Sequence, residues 1–387
     1  MVVVMAVGMA RAQSAPPQLV RVEPAPTPTG VVIGTVVAQD TQRPARFAVV
    51  QLQSVQQMQS SVQGNGGGVV TFGGGGVSVR TDVDGTFEAD NVPVGDYYVT
   101  AMATGYVAER TLMQAQVAAG ADPMAVLAQL PQVHVTADAT SNVTVPIQRG
   151  AALAGHVEWE DGSAAAGVTV SAVAAVNAAL PQGLRAGQNF GSSYGSTDDR
   201  GNFRLSGLPS GDYLVMVTIT PSTQGGFGRG GAKFTSPIRV YAPGVFRKVD
   251  AKAVNVRAGD ERTDIRMVLD LRLLRTVSGS AASSNPGLNV ASGRVTLTDA
   301  SDASLTIQGS ISAGGTFRLP YVPSGSYTLQ VSGASTQANG GYRRGGAGST
   351  GSTPATSFQP LSQALVVGDA DVSGVALSLT PTASAAK

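Results

Sequence analysis

The chain has 387 residues, enough for roughly two to four ordinary domains, with 49 glycines and 21 prolines against 13% charged and 5% aromatic residues. Its 26 basic and 25 acidic side chains leave a formal net charge of +1, which gives no long-range steering toward nucleic acid or an anionic membrane. The absence of cysteine excludes structural disulfides, thiolate metal sites and a lipid-bearing cysteine.

Residues 1–12 join an apolar run, Val2 to Ala10, to the small-x-small pattern Ala10-Arg11-Ala12, and read as a secretory signal peptide. No other run reaches the ~18 apolar residues that a membrane span needs. A secreted protein is expected, periplasmic or at the cell surface, with no transmembrane span. Residues 13–29 hold Pro16, Pro17, Pro24, Pro26 and Pro28 and form a semi-extended leader. Strands are expected over Val31–Val37 and Phe47–Leu52, followed by a low-complexity stretch from Ser54 to Val79. Thr81 then opens TDVDGTFEADNVPVGDYYVTAMATGY, which runs to Tyr106. Asp122-Pro123 has the N-cap and first-turn chemistry of a short helix over Pro123–Leu130, and Val143–Ile147 is a closing strand.

The same order of signals returns twice. Strands at Leu153–Trp159 and Val168–Val173 precede TDDRGNFRLSGLPSGDYLVMVTI, Thr197 to Ile219, and strands at Ile238–Tyr241, Ala253–Val256 and Thr263–Leu269 follow it. The third round begins near Leu274, has strands at Gly293–Leu297 and Leu305–Ile311, then SAGGTFRLPYVPSGSYTLQVSGA, Ser312 to Ala334, and ends with Val372–Leu379. Gly85, Gly201 and Gly315 are equivalent, 116 and 114 residues apart. Each copy carries G-x-F and then P-x-G-x-Y. Thr-Asp before Gly is turn chemistry, the carboxylate capping backbone N–H groups while Gly takes the strained position. The stretch reads as a β-hairpin whose turn is fixed by Pro93, Pro209 or Pro323. Side-chain parity predicts three separate cores: Phe87 with Tyr97 and Val99, Phe203 with Tyr213 and Val215, Phe317 with Tyr327 and Leu329.

This pattern resembles the carboxypeptidase regulatory-like domain, a small sandwich of the transthyretin (prealbumin) type. The family frame is G-x-V, an apolar strand, T-D-x-x-G-x-F, P-x-G-x-Y and G-Y. Copy one matches from Gly34 and Val36 to Gly105 and Tyr106; copy two matches from Gly155 and Val157 to Tyr213, without the final G-Y. Copy three departs, with Ala281 for the Val and Gly314 where an Asp is expected. The resemblance implies an all-β chain of three tandem antiparallel β-sandwich domains at 30–149, 150–273 and 274–382, with a tail at 383–387. It also implies a largely non-catalytic module.

The chemistry-bearing residues agree with that. Only His134 and His156 are available as imidazoles, too few for a zinc site without cysteine. Gly191 to Gly195 spells G-x-S-x-G around Ser193, yet neither histidine follows it and its surroundings are loop-like. Gly226, Gly228 and Gly231 spell G-x-G-x-x-G without the helix a phosphate cradle needs. Asp82 and Asp84 lack the further ligands of a calcium loop and read as turn caps. Glu158 and Glu160 flank Trp159, the sole tryptophan, beside a turn; they read as solvated and Trp159 as packed. No cofactor is expected. The candidate ligand contacts are the aromatic and arginine side chains of the Gly-rich loops: Phe190, Tyr194, Phe227, Arg229, Tyr342 and Arg343. These loops are expected to gather at one end of each sandwich, opposite the P-x-G turns, because hairpin strands return to their starting end. The functional expectation is a secreted non-catalytic scaffold or binding module with a protein or glycan partner, the alternative being a carbohydrate-binding protein that uses loop-end aromatics.

Overall fold

A computed structural model describes residues 27–64, 76–118, 120–175, 193–221, 236–337 and 355–382. The first sandwich is built from β1 (Thr29–Ala38), β2 (Val49–Ser54), α1 (Val55–Gly64), β3 (Val77–Arg80), β4 (Thr86–Pro93), β5 (Gly95–Met102), α2 (Glu109–Ala118), α3 (Pro123–Leu127), β6 (Gln132–Val135) and β7 (Thr140–Ile147). The second has β8 (Ala151–Trp159), β9 (Thr169–Ala174), β10 (Ser193–Ser196), β11 (Asn202–Leu208), β12 (Gly211–Ile219), β13 (Ile238–Tyr241), β14 (Val254–Val256) and β15 (Glu261–Leu269). The third has β16 (Leu274–Ser283), β17 (Ser292–Asp299), β18 (Thr306–Ile311), β19 (Thr316–Pro323), β20 (Gly325–Ser335), β21 (Leu361–Val367) and β22 (Val372–Leu379).

Each sandwich faces a three-stranded sheet against a larger one. The small sheets run β4-β1-β7, β11-β8-β15 and β19-β16-β22. The large ones run β3-β2-β5-β6, β10-β9-β12-β13 with β14 also on β12, and β18-β17-β20-β21. Pairing is antiparallel except that the last strand of each sandwich lies parallel to its first. The fold is therefore three tandem β-sandwiches, each with its own core. Phe87, Tyr97 and Val99 share the first, Phe203, Tyr213 and Val215 the second, and Phe317, Tyr327 and Leu329 the third.

The repeated stretch is not a hairpin. β4 and β5 lie in facing sheets, as do β11 and β12, and β19 and β20. The P-x-G turn is thus a corner between sheets, which is why the Phe before it and the Tyr after it both reach the core. The tyrosine hydroxyl closes the corner by donating to the proline carbonyl: Tyr97 to Pro93 at 2.9 Å, Tyr213 to Pro209 at 2.9 Å and Tyr327 to Pro323 at 2.7 Å. Burial pushes all three phenols up, Tyr213 to about 12.

The other repeated residues also acquire causes. Gly85, Gly201 and Gly315 have φ of 80°, 79° and 75°, a region open chiefly to glycine. Asp84 Oδ1 accepts from the Thr86 amide and hydroxyl, and Asp198 Oδ1 from the Arg200 and Asn202 amides, so these acids are turn caps. Thr81 is a buried staple, donating to the Ala45 carbonyl and accepting from the Ala48 amide, both at 2.8 Å. Thr197 repeats this with Ala165 and Val168. The glycine of G-x-V sits beneath the core phenylalanine: a Cβ on Gly34 would lie 2.7 Å from the Phe87 ring and one on Gly279 2.8 Å from that of Phe317.

Among the described residues three α-helices break the all-β pattern, and two of them, α1 and α2, are not expected from the sequence. They cover the outer face of the first sandwich and form a fourth cluster in which Met58, Met113, Val126, Leu127 and Leu130 pack with Tyr98. α3 starts where Asp122-Pro123 predicts, with the Asp122 carboxylate accepting from the Ala125 amide. Among the described residues no helix is long and apolar enough to cross a membrane.

Candidate functional site: the junction of the second and third sandwiches

Of the loop residues singled out by the sequence, only Tyr194 is described; Phe190, Phe227, Arg229, Tyr342 and Arg343 lie outside the described residues. Tyr194 stands on β10 and is 77% exposed. Its strand brings a correction. Ser193 pairs with Ala172 and Tyr213 with Ala174, so the strand ends flanking 176–192 sit at the proline-corner end. The ends flanking 222–235, Ile219 and Ile238, pair with each other at the other end of β12. The Gly-rich segments therefore leave from opposite ends. The physical reason is β10, and β3 in the first sandwich: each short strand crosses the sheet before the T-D turn, so it begins at the proline-corner end.

His134 is solvent-facing and its Nδ1 lies 2.7 Å from Asp96 Oδ1; His156 is one-third exposed. Trp159 is partly buried against the second core. Among the described residues no three His, Cys, Asp or Glu side chains group as a metal site. The G-x-S-x-G run is described only from Ser193, and the G-x-G-x-x-G run lies outside the described residues.

The most organised polar cluster lies where the second and third sandwiches meet. Between β13 and β14 the chain turns, the Tyr241 amide donating to the Val245 carbonyl at 2.7 Å, and projects Arg247 onto its neighbour. Arg247 Nε and Nη2 donate to Asp299 Oδ2 at 2.9 and 2.7 Å, and Nη2 also donates to the Ser324 carbonyl at 2.7 Å. The Asp299 side chain is 1% exposed, that of Arg247 21%. Its second oxygen, Oδ1, accepts from the Ser301 amide and hydroxyl and the Asp302 amide. Asp302 in turn accepts the Lys248 amide through Oδ2, and the Ser304 amide and hydroxyl through Oδ1. A further cross-link runs from the Gln308 amide to Ser236 Oγ at 2.9 Å. Burial pushes both carboxyls up, but hydrogen bonds outweigh it, from Arg247 and Ser301 on Asp299 and from Ser304 and Lys248 on Asp302, and hold both below the usual carboxylate value.

Gly325, the glycine of the third P-x-G corner, has a second duty here, since a Cβ on it would strike Arg247 Nη2. Beside the cluster a groove is lined by Arg239, Tyr241, Phe246, Leu305, Ile307 and Tyr321. It encloses about 30 Å³, room for a water or two rather than a sugar ring. Tyr321 has φ of 62°, where its repeat counterparts are Asn91 and Gly207, both residues that tolerate this region better. Tyr194 stands on β10, one edge of the second sandwich's large sheet, and Tyr321, on β19, lies beside β13 at the other edge, so the two share no platform.

The first junction is lighter. Gly150 donates to the Gly105 carbonyl at 2.9 Å, and Gly207, at φ of 76°, lets Tyr106 approach. Arg149 pairs with Asp40 at 2.7 Å and stacks over Tyr106, but both charged side chains are more than 40% exposed. Exposed pairs of this kind contribute little. Sequence reading missed Arg247, Asp299 and Asp302. The available signal was the doubled Asp-Ala-Ser of residues 299–304, two successive carboxylate-capped turns.

No protein-family model matches the chain, and no curated protein matches it. Among solved structures it is similar to a streptococcal ancillary pilin, at 12% identity over 92% of this chain and 100% of that one, TM-score 0.27. The minor pilin of Streptococcus agalactiae matches at 11% identity over 61% of this chain and 98% of that one, TM-score 0.27. The Bacillus anthracis TIE protein matches at 12% identity over 92% of this chain, TM-score 0.22, and this chain spans 51% of it. These neighbours are β-sandwich proteins, and at such values they carry no argument about what this chain does.

Proposed function

We propose that the chain is an exported, non-catalytic structural module of the carboxypeptidase regulatory-like type. In this reading it is a tandem array that holds protein-binding surfaces at fixed spacing in the periplasm or at the cell surface. The observation that carries it is the Arg247–Asp299–Asp302 cluster. A buried, multiply hydrogen-bonded charge pair between two sandwiches is costly to desolvate and of no use in a loose string of domains. It fixes one geometry between neighbours, which is what a spacer requires. The connection between the strands that end one sandwich and open the next is short: β15 ends at Leu269, a single 3-10 turn spans Leu271–Leu273, and β16 begins at Leu274.

The test joins location to inertness. The full chain carrying a C-terminal alkaline phosphatase, active only outside the cytoplasm, is expected to give phosphatase activity that is lost when residues 1–12 are deleted. Purified chain is expected to show no peptidase or esterase turnover. Phosphatase activity independent of residues 1–12, or hydrolysis abolished by Ser193→Ala, would overturn the reading. A glycan array on the purified chain separates it from the carbohydrate-binding alternative.

A further inference from the structure

The three sandwiches build the same outer edge differently. In the first, Val133 and Val135 of edge strand β6 point into the core and are 6% and 1% exposed. In the second, the edge is shared by β13 and β14, and Ile238, Val240 and Val256 are 6%, 0% and 1% exposed, with Val254 partly buried. In the third the edge strand is β21, paired with β20 over its whole length, from Leu361 opposite Val331 to Val367 opposite Gly325. Here the core-facing Leu361 and Leu365 are only partly buried, as is Val372 on the adjacent β22, and Val366 on the outer face is 71% exposed. The outward positions match one for one. Asp96 of the first corner meets His134, Asp212 of the second meets Asn255, and Ser326 of the third meets Val366. Polar pairs in two copies give way to an exposed apolar side chain in the third.

Edge strands ordinarily carry charge, proline or a bulge to prevent pairing with another chain. Here β15 follows that rule with Glu261, Arg262, Asp264 and Arg266, and β7 with Pro146. β21 reads Leu-Ser-Gln-Ala-Leu-Val-Val: seven residues with no charge, proline or glycine. Among the described residues no strand pairs with its outer edge.

We infer that β21 is a docking edge and that its occupant is β21 of a second copy, paired antiparallel about a two-fold axis at Ala364. This register places Leu361 opposite Val367, Ser362 opposite Val366 and Gln363 opposite Leu365. It keeps Ser362, Ala364 and Val366 on one face and the leucines on the other, as the pleat demands. An uncharged strand is self-compatible, because no like charges meet across the axis. The symmetric pair joins two large sheets into one continuous sheet and covers Leu361 and Leu365 from the side now open.

The experiment uses the full chain, which has no cysteine of its own. Sedimentation velocity from about 1 to 100 µM is expected to show a concentration-dependent monomer–dimer equilibrium. Val366→Lys is expected to weaken it at least tenfold with the melting temperature unchanged. Under mild oxidation Ala364→Cys is expected to give a covalent dimer, and Gln308→Cys, on the opposite edge strand β18, is expected to give none. A monomer throughout the range, a dimer indifferent to Val366→Lys, or equal cross-linking at Gln308→Cys would each overturn the inference.

Discussion

Replacing Arg247 with alanine tests whether the two C-terminal sandwiches are energetically one body. The substitution removes three donated hydrogen bonds at 2.7–2.9 Å and leaves Asp299 Oδ2, on a side chain 1% exposed, without its cation. Breaking a buried ion pair by removing one partner costs about 3–5 kcal/mol. Two features place this case at the low end. Oδ1 keeps its three donors, and Arg247 is 21% exposed, so water enters where the guanidinium stood. About 3 kcal/mol is the expected loss, which lowers the melting temperature of a domain this size by about 10 °C. Calorimetry on the full chain is the assay. The unfolding of the second and third sandwiches is expected to be coupled in the unaltered chain and to separate in the variant, with the third shifted most. Arg247→Lys keeps the charge but loses the planar fork and should recover only part of the stability. A shift below about 2 °C in Arg247→Ala would show that the cluster is decorative and refute the reasoning.

Acid should reproduce the same loss. Folding depresses the carboxyl pKa of Asp299 and Asp302, so their contribution is complete above the unfolded value near pH 4 and disappears as pH falls through the folded values. Urea midpoints measured from pH 6 to pH 2 should fall less steeply in Arg247→Ala than in the unaltered chain. Phe47 has φ of 57° and is 58% exposed, where the second repeat has Gly167 at φ of 70°. Phe47→Gly should therefore stabilise the first sandwich by about 0.5–1 kcal/mol, visible as a rise of a few degrees in its thermal transition. Gly155→Ala should do the reverse, since its Cβ would strike the Ile265 backbone on the parallel strand. A loss of about 3 kcal/mol confined to the second sandwich is expected, read from its urea midpoint.

The repeats were legible because a few residue types have narrow physical uses. A glycine at φ near 80° and a tyrosine beside a proline corner recur visibly at all three positions, and parity alone placed Phe87, Phe203 and Phe317 in separate cores. Parity does not say which sheet a strand joins, so the corner passed for a hairpin. Strand β3, Val-Ser-Val-Arg, alternates but directly follows a Gly-rich stretch, and β10, Ser-Tyr-Gly-Ser, shows no apolar alternation; missing them put the segments that precede them at the wrong end. Helix α1 follows Ser54 with Gln57 three residues on, a capping pattern inside a stretch that reads as low complexity, whereas α2 has only Ala108 before Glu109; both helices pack on Tyr98. The junction was hidden for another reason. Arg247 and Asp299 are 52 residues apart in different sandwiches, and nothing local marks them as partners.

The rigid junction is tested most directly by distance. Spin labels on cysteines placed at exposed Thr169, in the second sandwich, and exposed Arg318, in the third, report the separation of the two bodies, with no native cysteine to interfere. The account predicts a single narrow distance distribution in the otherwise unaltered chain and a broad one when Arg247→Ala is added. A distribution already broad with Arg247 in place would contradict it.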